Sequence, residues 1–193
     1  TLDKPFRLPV QDVYKFTAQG DDRRIVAGTI ETGVLRVGDN VAFYPSGKKG
    51  RVKTIEAFNR PALIEAHASE AVGFTLTEQV YIARGEMVAL FGQPKPEVTT
   101  RLRVSLFWLG KQSLIKKRDY VLKLGTARVV CRLEDIRRVV DASSLSTSET
   151  RNRIERHEVA ECTLKLNRAV AFDTAEELAG TSRFVLVDDY EIR

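Results

Sequence analysis

From Ile25 to Phe58 the chain reads IVAGTIETGVLRVGDNVAFYPSGKKGRVKTIEAF, with apolar and polar residues alternating in short runs. The runs break at Gly33, at Gly38-Asp39-Asn40 and at Pro45-Ser46-Gly47. A period of two puts every second side chain on one face, so each run predicts a half-buried β-strand. Glycine, Asp and Asn tolerate the backbone angles of tight turns, and Asp39 can bond its own backbone to close the second one. The pattern continues on both sides. FRLPVQDVYKF (6–16), RIVAGTIETG (24–33), VAFY (41–44), RVKTIEAF (51–58), EAVGFTL (70–76) and MVALF (87–91) are predicted strands, with a polar turn AQGDD (18–22) after the first. Short strands at roughly 10-residue spacing predict a closed antiparallel barrel.

Pro94-Lys95-Pro96 interrupts this rhythm. Two prolines flanking one residue enforce an extended link, which divides the chain into domains 1–94 and 95–193. The second domain is predicted to be β as well. In LRVSLFWL (102–109) Leu102, Val104, Leu106 and Trp108 share one face, and Arg101, Arg103, Ser105 and Phe107 the other. DYVLKLG (119–125), ARVVCRLEDI (127–136), VAECTLKL (159–166), AVAF (169–172) and RFVLVDD (183–189) follow, with Ala160, Cys162, Leu164 and Leu166 alternating inward. DASSLSTSET (141–150) reads as a mobile polar loop. The fold class is therefore all-β, two consecutive antiparallel barrels.

At 193 residues, 43% hydrophobic and 30% charged, the chain has the composition of a soluble globular protein with room for a core in each domain. No apolar run approaches the roughly 18–20 residues that span a bilayer, and TLDKPFRLPV lacks a signal pattern. Its first residue is Thr, so a segment of a longer protein is expected. Cys131 and Cys162 fall at inward positions of strand-like runs and read as reduced buried thiols, a usage that fits the cytoplasm, with a disulfide left open. Charge is uneven. Residues 1–100 carry 13 basic and 12 acidic groups, 101–138 carry 11 and 3, and 139–193 carry 7 and 11. The basic block is a candidate binding face or a solvated exterior neutralised by the acidic tail.

No catalytic, cofactor-binding or metal constellation emerges. His67 and His157 have no Ser, Cys or Asp partner at a meaningful spacing, and no CxxC or HxxxH spacing is present. Asp21-Asp22, Glu176-Glu177 and Asp188-Asp189 read as turn or surface acids. No GxxxxGK[ST] occurs. Ser46-Gly47-Lys48-Lys49-Gly50 lacks the upstream glycine and the following Ser/Thr, and reads as a hairpin turn.

GTIETGVLRVGDNV (28–41) resembles the domain-two signature of elongation-factor-like GTPases. PSGKKGRVKTIEAF (45–58) is similar to the P-S-G-K-x-x-R-V-K-x-I motif of the GTPase subunit of bacterial sulfate adenylyltransferase, and PVQDVYKF (9–16) to that family's first barrel strand. FWLGKQSLIKKRDYVLKLGTARVVCRLEDI (107–136) and LNRAVAFDTAEELAGTSRFVLVDDY (166–190) resemble the same family's third domain and its closing hairpin. The chain ends where the family adds one more glycine-rich strand.

The resemblance implies a non-catalytic pair of barrels beside a GTPase domain that would hold GTP and Mg. It implies a small catalytic partner subunit and, in the bifunctional form, a fused adenylylsulfate kinase. The parent couples GTP hydrolysis to making adenylylsulfate from ATP and sulfate. Arg23 and Arg24 are then expected to face the GTPase domain. Arg101, Arg103, Trp108, Lys116, Lys117 and Arg118 are expected to form a docking surface for the small subunit. The same mixture of cations and an aromatic suits nucleic acid, so a tRNA-binding elongation-factor fragment is the second reading. A modest net charge of +5 and the PSGKKGRVK hairpin weigh against it.

Overall fold

A computed structural model of the protein describes residues 3–16, 20, 22–141, 147–148 and 151–188. The alternating runs form antiparallel β-structure, and one short 3-10 turn at Ala179–Thr181 interrupts it among the described residues. The chain forms two compact units. One comprises Thr1–Val98, Leu124–Ala127 and Val170–Arg183, the other Thr99–Lys123, Arg128–Ala169 and Phe184–Arg193.

The first unit contains β1 (Leu8–Pro9), β2 (Asp12–Lys15), β3 (Arg24–Thr29), β4 (Val34–Arg36), β5 (Asn40–Tyr44), β6 (Lys49–Glu56), β7 (Glu65–His67), β8 (Ala71–Leu76) and β9 (Met87–Leu90). Seven of them make one sheet in the order β1-β9-β5-β6-β8-β3-β2, while β4 and β7 pair separately. The run predicted as one strand over 6–16 is two. Pro9 has no N–H to donate, and the chain bends after it. β1 pairs with β9 at one edge of the sheet and β2 pairs with β3 at the other. The Gln11 N–H donates to Ala27 O at 2.9 Å, so this bend curls the sheet back on itself. Gly28 allows the approach, because a Cβ there would sit 2.4 Å from Pro9 O. Phe6, Leu8, Ile30, Leu35, Phe43, Ile55 and Phe74 are fully buried inside, and Phe43 stacks on Phe74 at 6.4 Å.

Both predicted turns of the opening motif are present. The Asp39 carboxylate accepts the Arg36 N–H at 2.7 Å, and Gly38 has φ 90°. Gly33 has φ 81°, and a Cβ there would lie 2.6 Å from Phe6 Cα, whereas at Gly38 the nearest atom is the tip of Arg51 at 3.8 Å. A left-handed backbone alone costs an L-residue about 1–2 kcal/mol. A clash with backbone adds about 1–3 kcal/mol because the backbone cannot swing aside. Gly33→Ala is therefore expected to destabilise by about 2–4 kcal/mol and Gly38→Ala by about 1–2 kcal/mol. Urea midpoints of the two variants check this, and equal shifts would contradict it.

The second half of the chain contributes β10 (Glu97–Phe107), β11 (Leu114–Ile115), β12 (Tyr120–Leu124), β13 (Ala127–Asp141), β14 (Thr147–Ser148), β15 (Arg153–Ile154), β16 (Glu158–Phe172) and β17 (Phe184–Val187). The main sheet runs β10-β16-β13-β12-β17, with β14 on β13 and a separate β11–β15 pair. Leu102, Leu106 and Trp108 are buried, with Arg101, Arg103, Ser105 and Phe107 exposed as the alternation requires. Ala160, Cys162, Leu164 and Leu166 are likewise buried. β16 joins two predicted strands into one. β13 extends past its predicted end, with register shifts between Leu133 and Asp135 and between Ile136 and Arg138. Most of the predicted 141–150 loop lies outside the described residues, as do parts of the 18–22 turn.

Candidate interface surfaces

Arg24 opens β3 opposite Lys15 of β2, and Arg23 precedes it. The Arg24 guanidinium carbon lies 3.9 Å from the centroid of the Tyr81 ring, which is 69% exposed. Arg23 leans over Phe16 at 5.5 Å and reaches Glu56 Oε1 at 3.5 Å. Both arginines line a cleft of about 260 Å³ with Asp22, Lys53, Thr77 and Glu78. The β2–β3 hairpin and β6 thus bring Arg23 and Arg24 to the same cleft as Lys53, which is far from them in sequence, and the segment after β8 adds Thr77 and Glu78.

The basic block of the second unit is arranged differently from its sequence expectation. Arg101 is exposed on β10 with its Nη2 2.7 Å from Glu134. Arg103 is exposed on the same face. Trp108 alternates to the other side and is only 4% exposed, so its ring is core and offers no stacking face. Its indole N–H donates to Gln112 O at 2.7 Å and its ring meets Tyr120 edge-on at 5.9 Å. Lys116 approaches Asp135 at 3.8 Å. Lys117 is exposed in a turn with φ 64°. Arg118 is half-buried, 3.0 Å from the Asp188 carboxylate and bonded to Gln112 Oε1 at 3.0 Å. Asp188 is therefore a buried partner, 7% exposed, instead of a surface acid; Asp189 lies outside the described residues. Arg132 and Arg138 also face carboxylates, Asp119 and Glu161. Much of the local positive excess is thus neutralised by pairs that sequence spacing does not reveal.

One polar centre escaped the sequence reading. Arg7, between the buried Phe6 and Leu8, is 1% exposed. Its Nε and Nη2 donate to Asp173 at 3.0 and 3.1 Å, and its remaining donors reach Phe6 O at 2.9 Å and Pro94 O at 2.7 Å. The Thr181 hydroxyl donates to the same carboxylate at 2.7 Å. Every element belongs to the first unit. The signal available in sequence was a lone arginine within an apolar run, which alternation alone reads as a surface residue.

The phosphate-loop lookalike is a hairpin joining β5 to β6. The Ser46 N–H donates to the Glu86 carboxylate at 3.2 Å, which also accepts the Ala83 N–H at 3.2 Å. A carboxylate thus occupies the donor that a phosphate-binding loop needs free. Cys131 and Cys162 are free buried thiols, and burial pushes each up to about 12, reinforced by Asp119 for Cys131 and by Cys131 for Cys162. Thiols in this state are poor nucleophiles. His67 lies on β7 beside Glu65 at 3.1 Å. The His157 ring is exposed beside Phe107. Among the described residues no group of three or more His, Cys, Asp or Glu could hold a metal, and no helix is long and apolar enough to cross a membrane.

Comparison with known proteins gives the architecture relatives. The family described as elongation factor Tu domain 2 matches residues 23–79. The family described as GTP-eEF1A C-terminal domain-like matches residues 101–192. Sulfate adenylyltransferase subunit 1 of Aeromonas hydrophila subsp. hydrophila is 35% identical over 184 residues, covering 95% of this chain and 38% of the relative. The Vibrio vulnificus strain YJ016 protein of the same description is 32% identical over 183 residues, with 95% and 37% covered. The chain therefore spans well under half the length of these curated relatives. A crystal structure of sup35 complexed with GDP matches with a TM-score of 0.85 at 19% identity, over 97% of this chain and 45% of that one, a likeness of fold. Residues 23–79 and 101–192 thus match two elongation-factor-type β-domain models in succession, and the chain as a whole is similar to sulfate adenylyltransferase subunit 1.

Proposed function

We propose that the chain is the non-catalytic two-barrel part of a GTP-dependent sulfate adenylyltransferase subunit 1. In that role it passes the nucleotide state of a GTPase domain to a small subunit that makes adenylylsulfate from ATP and sulfate in the cytoplasm. The observation that carries this reading is the 35% identity sustained over 184 residues, through both barrels. GTP and Mg belong to the GTPase domain, and no residue of this chain is assigned to hold them. Arg23 and Arg24 face that domain. Arg103 and Lys117 are the exposed cations of the expected docking surface with no carboxylate partner among the described residues, with a fused adenylylsulfate kinase as a further neighbour in the bifunctional form.

Rigid β-units suit this work, because packed cores respond to a neighbour as bodies that shift between discrete positions. The decisive experiment expresses the full-length subunit with the small sulfurylase subunit. Copurification and GTP-dependent adenylylsulfate synthesis are expected, and reversing the charge of Arg23 and Arg24 together lowers GTP-driven turnover. Micromolar tRNA binding with a steep salt dependence, without copurification, would favour the translation reading instead. The pairing of Arg101, Lys116, Arg118, Arg132 and Arg138 with carboxylates weighs against a polyanion partner.

A further inference from the structure

The β5–β6 hairpin, whose sequence imitates a phosphate loop, carries Lys48, Lys49, Arg51 and Lys53 within six residues. All four are exposed, and none has a carboxylate partner among the described residues. In the second unit, by contrast, Arg101, Lys116, Arg118, Arg132 and Arg138 each face an acid. Uncharged groups hold three of the hairpin cations instead and leave their charge uncompensated. Lys48 Nζ donates to Tyr81 O at 2.5 Å and Arg51 Nε to Gly38 O at 3.2 Å. The Lys49 ammonium lies 4.8 Å from the centroid of the Phe91 ring. Phe91 is itself 62% exposed, so much of the ring stays open to solvent.

Acids bound this patch without neutralising it. Glu86, which is bonded to the hairpin turn, is occupied by the Ser46 and Ala83 N–H groups. Lys53 shares its cleft with Asp22 and Glu78, so the uncompensated strip ends before it. What remains is Lys48, Lys49 and Arg51 beside one open aromatic ring. Lys49 and Arg51 stand two residues apart on β6, about 6.6 Å along the strand, comparable with the step between phosphates of an extended single strand. A single-stranded nucleic acid supplies both that charge and a flat base for the ring. An acidic peptide would satisfy the cations and leave Phe91 unused.

We infer that Lys48, Lys49, Arg51 and Phe91 form a short, sequence-independent binding strip for single-stranded nucleic acid, with phosphates on the cations and a base on the ring. This goes beyond the proposed function and requires neither a GTPase domain nor a small subunit.

Fluorescence anisotropy of a labelled decauridylate, titrated with the 193-residue chain at low salt, tests the strip. Saturable binding is expected, with a slope of log K against log salt of about −2, since single strands contribute about −0.7 per neutralised phosphate. Contact spread over a whole folded RNA would be steeper, which separates this outcome from the translation reading. Arg51→Glu weakens binding at least fivefold. Lys123→Glu, the same charge change on an exposed residue of the second unit, has little effect. Phe91→Ala weakens binding several-fold and leaves the salt slope unchanged, the mark of lost stacking. Unlabelled hexaglutamate competes poorly. Absence of saturable binding, equal losses from Arg51→Glu and Lys123→Glu, full affinity in Phe91→Ala, or hexaglutamate competing as well as unlabelled decauridylate would each overturn the inference.

Discussion

Replacing Arg7 with methionine will destabilise the first unit by about 3–5 kcal/mol, the cost of breaking a buried ion pair from one side. The Asp173 carboxylate is 3% exposed and would keep only the Thr181 hydroxyl from its present set of side-chain donors. Phe6 O and Pro94 O would each lose a donor as well. Removing both charges together is different. Arg7→Met combined with Asp173→Leu eliminates the uncompensated charge, so the double variant is expected to be more stable than Arg7→Met alone. Arg7→Lys should fall between, since an ammonium cannot reproduce the two-pronged contact and the two carbonyl bonds at once. Far-UV circular dichroism across a urea titration reads all three. A loss below about 1 kcal/mol for Arg7→Met would place the pair with ordinary surface ion pairs and refute its role as a buried lock. Val170–Arg183 belongs to the first unit, so the same pair should hold this late segment in place. A chain cut at residue 98 is accordingly a poor substitute for the intact unit.

Trp108→Ala should cost the second unit about 3–5 kcal/mol, in the range of large aromatic truncations in cores. The indole is 4% exposed, packs edge-on against Tyr120, and satisfies Gln112 O. Its main chain also anchors the sheet, with Trp108 N–H donating to Glu158 O at 3.0 Å and Trp108 O accepting the His157 N–H at 2.7 Å. Backbone bonds survive the substitution, so the loss is that of packing and of one side-chain hydrogen bond. Trp108→Phe keeps most of the packing and should cost clearly less. Partner binding by folded Trp108→Phe should match that of the unmodified chain, because the ring contributes nothing to the surface. A selective binding loss in a fully folded Trp108→Phe variant would contradict the buried placement. Thermal unfolding followed by circular dichroism, with binding measured well below the transition, separates the two effects.

The strands of the opening motif were readable because their information is local. Alternation decides the face of each side chain, and Gly33, Gly38 and Asp39 decide turns within a few residues of themselves. The same logic placed Leu102, Leu106 and Trp108 inside, yet the sequence reading still counted Trp108 among surface residues because of its basic neighbours. In β13 local logic fails partway. Ala127, Val129, Cys131 and Leu133 are buried at odd positions, then Ile136 at an even one and Val139 at an odd one again. Each register shift moves the inward face by one residue. A bulge depends on the partner strand, so no periodicity within β13 could announce it.

The candidate surfaces divide along the same line. By itself the sequence determined the all-β class, most strand positions, the hairpin identity of Ser46–Gly50 and the resemblance to sulfate adenylyltransferase subunit 1, since all of these are carried by short-range pattern and motif. Only the tertiary structure decided which charges are spent. Arg7 meets Asp173 across 166 positions and Arg118 meets Asp188 across 70, while Arg24 meets the ring of Tyr81. The splitting of residues 6–16 into strands at opposite edges of one sheet is of the same kind. Electrostatic and hydrogen-bond partners are chosen by proximity in space, and chain folding makes that proximity nearly independent of separation along the chain.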